Sequence, residues 1–273
     1  MIEKYITPTS FKVTEINDIM DFHNQTKLYP ISSMEAALRT GYYAESKRGS
    51  YELSKNHHMM PSRHTEIISI EIPENFAKAI NKRQSNHHFS QKAPFDRRSI
   101  LKTLKTCVSN RTMRSSADNN VIFHKRPYPS PGALYPSEIY ILEHNNTSYS
   151  LKYFNAVQSS LHTLIEEISV DEISHCCCVG DNFLAHNAQG AILISSVWER
   201  TVVKYGFSGY RLALIEVGII AQQLTLILTD LGVSTLHWTG FYDDKVNSLI
   251  KADLKTESIC HMIWYGGSYD KKN

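Results

Sequence analysis

Metal-ligand spacing is missing from this 273-residue chain, although it holds thirteen histidines and five cysteines. No HExxH occurs, and the His-His pairs at 57–58 and 87–88 lie in polar stretches that read as solvated. Cys176, Cys177 and Cys178 follow His175 directly, but a structural zinc site spaces its ligands as two separated pairs, and no second pair is present. No metal is therefore expected. The odd cysteine count, completed by Cys107 and Cys260, suits reduced thiols in the cytoplasm better than a disulfide framework. Charge of one sign is lacking too. Against 27 Asp and Glu stand 29 Lys and Arg, with no basic stripe interleaved with aromatics, which argues against a nucleic-acid partner. The opening residues MIEKYITPTSF carry no apolar core of a secretory signal. Repeats and low-complexity tracts are absent. The long apolar run at 210–230 is interrupted by Arg211, Glu216, Gln222 and Gln223, so no membrane span is expected.

What is there is an ordinary globular composition, 42% hydrophobic and 21% charged, enough for one sizeable core. Its most informative stretch is 126–142, RPYPSPGALYPSEIYIL. Pro127, Pro129, Pro131 and Pro136 each fix φ, remove an amide donor and disfavour helix in the residue before. Gly132 permits a conformation or a close approach that a Cβ would block. The amides that remain, those of Ser130, Gly132, Ala133, Leu134 and Tyr135, are free to face one flat polar ligand. On composition alone the same stretch reads as a proline-rich turn before an edge strand.

Periodicity outlines the rest. Ile16, Ile19, Met20 and His23 predict a helix over 14–27 capped by Thr14. A polar loop is expected at 46–65 and a short strand at 66–72. The polar run 81–96 marks a boundary, giving an N-terminal extension over 1–93, a possible partner-docking region, and a main domain over 94–273. Ile100, Leu101, Leu104, Cys107 and Val108 form a helical stripe. Residues 110–125 show little pattern and are expected to be mobile. Strands follow at 138–143 and 149–154, then helical spacing at Leu161, Leu164, Ile165 and Ile168. The continuous apolar run 190–198 predicts a strand covered on both faces. Helix 210–230 is apolar nearly all round and so belongs in a core or an interface, with Gly232 just past its C-terminus. A last strand is expected at 259–265.

Residues 129–136, PSPGALYP, resemble the flavin loop of the nitroreductase superfamily, in the branch that dehydrogenates azoline rings in ribosomal peptides. Residues 204–211, KYGFSGYR, and the helix after them are similar to the segment following a paired Lys-Tyr in that branch. The resemblance covers roughly 94–268. It implies an α+β nitroreductase-like fold, a central antiparallel or mixed sheet flanked by helices. It also implies FMN as cofactor, a homodimer, and work inside a synthetase complex with cyclodehydratase subunits and a precursor-peptide substrate. A nitro or quinone reductase using a nicotinamide donor, and a flavin-stabilised scaffold without redox work, are the alternatives.

The same resemblance assigns roles. Arg97, Arg98 and Ser99 match the family's phosphate-binding Arg-x-Ser element, and a guanidinium can grip a phosphate through two parallel hydrogen bonds. Leu101 and Gly267 stand where the family often has further arginines, which weakens that site. The loop residues Pro129, Ser130, Gly132, Ala133, Leu134 and Tyr135 would face the isoalloxazine. Gln223 and the HWTGF segment, through Trp238, Thr239 and Gly240, would approach it from elsewhere. Lys204 and Tyr205 would manage the substrate proton. An ordinary lysine, with a pKa of about 10.4, is protonated at neutral pH, so burial beside a flavin is needed to make Lys204 a base. Adjacent residues of a strand point apart, so the pair is expected on a loop or helix turn. Glu216 is read as a structural carboxylate bonded to Arg or Tyr.

Overall fold

The computed structural model describes residues 8–48, 74–115, 122–145, 147–178, 183–250 and 256–268. Helices α1 (Pro8–Thr26), α2 (Pro30–Glu45), α3 (Glu74–Lys82) and α4 (Arg97–Cys107) come first. A two-stranded ribbon follows, β1 (Thr112–Ser115) and β2 (Ile122–Lys125), then β3 (Ser137–His144), β4 (Ser148–Asn155) and β5 (Ser160–Ser169). Two short helices, α5 (Val170–Cys176) and α6 (Phe183–Asn187), lead to β6 (Gly190–Val197). Next come α7 (Glu199–Tyr205), α8 (Ser208–Asp230), β7 (Ser234–Trp238), α9 (Asp243–Ile250) and β8 (Glu257–Gly266). The main sheet has six strands in the order β5-β4-β3-β6-β8-β7, and every adjacent pair is antiparallel.

Both faces of this α+β sheet are covered, and period-2 alternation assigns each side chain to a face. Ile139, Ile141, Ile192, Ile194, Ile263 and Tyr265 share one core with α4 and α8. Their neighbours Tyr140, Leu142, Ala191, Leu193, Met262 and Trp264 enter the opposite core with α5, α6 and α9. The central strand β6 is therefore buried along its length except at Val197. Helix α8 has the length and hydropathy of a membrane span, yet Ala213, Val217, Ile220, Leu224 and Leu228 are buried in the core. It ends in a Schellman motif: the Val233 amide donates to the Leu228 carbonyl and the Gly232 amide to that of Thr229, with Gly232 at φ +76°.

Three expectations need correction. Residues 161–168 are not helical; they form β5, paired with β4. Asn155 Oδ1 accepts the amides of Val157 and Gln158, and Ser159 at φ +53° turns the chain back along β4. Register shifts opposite Leu151 then add residues to β5, so Leu161, Ile165 and Ile168 turn inward while Leu164 is left exposed. Bulges thus imitate helical spacing on a strand. Within the stretch 110–125, the ribbon of β1 and β2 pairs Thr112 with Lys125 through Ser115 with Ile122, and residues 116–121 lie outside the described residues. Thr14 is no cap, since α1 begins at Pro8. The expected strand at 66–72 lies outside the described residues, as does most of the loop expected at 46–65.

Candidate active site

The loop between β2 and β3 is a tight, conformationally costly turn. Gly132, Ala133 and Tyr135 have φ of +61°, +55° and +48°. Each L-residue held there costs about 1–2 kcal/mol, so the surroundings must over-determine it. Within the loop, the Tyr135 amide donates to Ser130 Oγ at 2.8 Å, the Ala133 amide to the Ser130 carbonyl at 3.0 Å and the Leu134 amide to the Pro131 carbonyl at 3.2 Å. Three of the five amides expected to face a ligand are therefore engaged internally. Those of Ser130 and Gly132 make no hydrogen bond among the described residues.

Arg126 grips the base of the loop. Its amide donates to the Tyr135 hydroxyl at 3.0 Å, and its guanidinium lies 5.2 Å from that ring's centroid. The same guanidinium donates to the Tyr128 hydroxyl at 2.9 Å and to the Ser137 carbonyl at 3.0 Å. Arg200 donates to the Tyr135 carbonyl at 2.9 Å and pairs with Glu138. From beneath, the fully buried Glu216 on α8 accepts the Ser137 amide at 3.3 Å, so its direct partner is backbone rather than the Arg or Tyr expected. Burial pushes its carboxyl pKa up, against the stabilising pull of the nearby Ser130, Ser137 and Arg126. Its second oxygen has no hydrogen-bond partner among the described residues.

Lys204 and Tyr205 occupy the last turn of α7, the helix-turn setting that lets neighbours reach one point. A Cβ built on Gly132 would lie 2.6 Å from the Tyr205 hydroxyl and 2.8 Å from Lys204 Nζ. Left-handed φ is what favours glycine at the loop apex, and an added Cβ would make the flexible ends of Lys204 and Tyr205 move aside. The Lys204 ammonium lies 5.4 Å from the Tyr205 ring centroid. Lys204 is exposed in the single chain, so the burial expected for a base is not supplied by this chain's own fold.

The phosphate candidates are more dispersed. Arg97 is bound by Glu143 through Nε at 2.8 Å and Nη2 at 3.1 Å, and Lys152 pairs with the same carboxylate. Asp96 caps α4 by accepting the Arg98 amide at 2.9 Å. Arg98 is exposed, whereas Ser99 is buried and borders a 300 Å³ cavity with Asp96, Gly232 and Gly266.

Two turns along α8 from Glu216, Gln223 faces the Cys107 thiol, whose pKa burial pushes up to about 11. Gly240 packs under the Trp238 indole, where a Cβ would come within 2.7 Å of Cζ2, and the buried Trp238 Nε1 has no hydrogen-bond partner among the described residues. Thr239 borders a 390 Å³ cavity with His23, Tyr210 and Leu214. Helix α8 touches both this strand end and the 131–133 turn.

The donor set at the loop apex fits a flat heterocycle that gains negative charge on reduction. It combines an exposed glycine backbone without a Cβ, a cation and a phenol at one point. Sequence reasoning did not single out Arg126, Glu138 or Arg200, which hold the apex. The signal was present only as charges flanking the proline run and opening α7.

The chain matches the Nitroreductase family over residues 80–267. The microcin B17-processing protein McbC of Escherichia coli is 26% identical over 214 residues, 76% of this chain and 74% of its own. A Methanocaldococcus jannaschii protein with a nitroreductase name is 32% identical over 126 residues, 45% of this chain and 62% of its own. Among solved structures, a chain of the E. coli microcin synthetase McbBCD complex with truncated pro-MccB17 bound superposes with a TM-score of 0.73. It shares 21% identity, with 98% of this chain and 100% of that one covered.

Proposed function

Because this chain belongs to the nitroreductase family, we propose that this oxidoreductase is an FMN-dependent azoline dehydrogenase. It oxidises thiazoline or oxazoline rings in a ribosomally made precursor peptide to thiazole or oxazole. The observation that carries the reading is the meeting of Lys204 Nζ and the Tyr205 hydroxyl at the Gly132 apex. The similarity to a microcin-processing protein supports the substrate class.

FMN, when bound, supplies the hydride acceptor for the ring carbon next to Cα. Ser130 to Tyr135 would present backbone to its ring, and Arg98 and Ser99 would hold its phosphate, Arg97 being engaged by Glu143. Lys204 Nζ takes the Cα proton, and the Tyr205 hydroxyl orients it.

The partners follow from what is left uncovered. Val203 on α7, Phe207 between the two helices, and Leu214 and Ile215 on α8 are exposed, the face a second copy would cover in a homodimer. On α2, Ile31, Met34 and Leu38 are exposed at helical spacing and support docking of cyclodehydratase subunits by the N-terminal region. Five free cysteines suit the reducing cytoplasm.

The first test is the visible spectrum of the purified protein with the released chromophore identified, which should be FMN. Lys204→Ala should then keep the flavin and lower kcat on an azoline peptide by about 10²–10⁴-fold, the usual range for a lost general base. Undiminished turnover would exclude the dehydrogenase assignment for Lys204. Nicotinamide-driven nitro or quinone reduction without azoline oxidation would establish the reductase instead.

A further inference from the structure

Arg200 opens the short helix α7 whose last turn carries the candidate proton-handling pair, and it stands four residues before Lys204. Positions i and i+4 share a helix face, so Arg200 and Lys204 both look toward the loop while Thr201 and Val202 are buried behind them. The Arg200 guanidinium donates to the Tyr135 carbonyl at 2.9 Å. It is itself held by Glu138, which is 8% exposed and whose other oxygen accepts the Tyr153 hydroxyl at 2.9 Å. Tyr135, at φ +48°, is pinned through its amide, its hydroxyl and its ring, so its carbonyl is a fixed anchor.

Helix α7 therefore meets the loop at two places one turn apart. At the first turn a charge-assisted hydrogen bond joins Arg200 to the loop exit. At the last turn Lys204 Nζ and the Tyr205 hydroxyl reach the Gly132 apex. A lysine side chain has four rotatable bonds, and α7 has only seven residues to hold it in place.

We infer that Arg200, oriented by Glu138, is a positioning residue that sets the reach of Lys204 and Tyr205 to the Gly132 apex. This deepens the dehydrogenase reading and rests on it. Arg200 touches neither reacting atom. It acts by keeping α7 from sliding along or tilting away from the loop, where a displacement of about 1 Å costs on the order of 10²-fold in rate.

The test compares the full-length wild type with Arg200→Met, Arg200→Lys and Glu138→Gln. FMN content, kcat and KM on an azoline peptide across pH, and the rate of Lys204 acetylation by an amine-reactive ester are measured, the last by mass spectrometry against exposed Lys102. Arg200→Met should retain FMN and lose roughly 10²-fold in kcat with little change in KM, as expected for lost orientation. The pH profile of kcat should shift, and Lys204 acetylation should change while Lys102 does not. Arg200→Lys should recover part of kcat, and Glu138→Gln should fall between. Should Arg200→Met fail to fold, the other two variants carry the comparison. A folded Arg200→Met with wild-type kcat, pH profile and acetylation overturns the inference, and loss of FMN from it replaces positioning with cofactor binding. If the wild type oxidises no azoline peptide, the functional reading fails. Acetylation then still decides the geometry.

Discussion

At the scale of single residues, Gly132 and Glu216 make opposite demands on the same loop. Gly132 sits at φ +61°, and a Cβ there would push aside the ends of Tyr205 and Lys204. Gly132→Ala should therefore displace both, at a backbone cost of about 1–2 kcal/mol, and lower FMN occupancy in the purified protein along with its melting temperature. Glu216 is a carboxylate under the loop whose folded-state pKa is raised by burial. The folded protein then binds more protons than the unfolded chain between the two pKa values, so this group's contribution to stability falls as pH rises through that window. Glu216→Gln keeps an acceptor for the Ser137 amide and removes the buried charge. Its melting temperature relative to wild type should improve from pH 5 to pH 8, and an offset independent of pH would show that Glu216 does not titrate in that way. Gly132 was legible as a residue needing room, because prolines on both sides left it the flexible point of a rigid run. Glu138 and Arg200 were not legible because their partners lie in other elements, and Arg126 because its partners, two to eleven residues on, come within reach only once the loop folds back.

At the scale of elements, α8 ties the site to the core. Its buried side supports the sheet through Val217, Ile220, Leu224 and Leu228, while Glu216 on the same helix supports the loop. Leu224 is fully buried, so Leu224→Ala should destabilise by about 2–5 kcal/mol, read as a shifted chemical-denaturation midpoint. The helix was visible in the sequence because it is long, apolar and followed by glycine. Strand β5 was not, because its inward residues recur at three and four positions. That spacing is ambiguous until pairing with β4 and the bulges beside Leu151 resolve it. The ribbon of β1 and β2 was hidden for a related reason, since two four-residue strands offer too little alternation to read.

At the scale of the whole molecule, the exposed face of α7 and α8 should be the contact between two copies. Ile215→Glu places a charge on a residue that is 51% exposed and should leave the single chain folded while shifting sedimentation from dimer to monomer. Wild-type sedimentation as a monomer with bound FMN would remove the dimer from the proposal. The sequence by itself determined the family, the rigid loop, its apical glycine, the buried strand β6 and the core helix. Each of these is written in consecutive residues whose local preferences agree. Tertiary structure alone decided that Lys204 and Tyr205 meet Gly132, that Arg97 is bound by Glu143, and that Arg200 joins α7 to the loop. Those contacts are made between residues some 46 to 73 positions apart in the chain, a separation at which local periodicity carries no information.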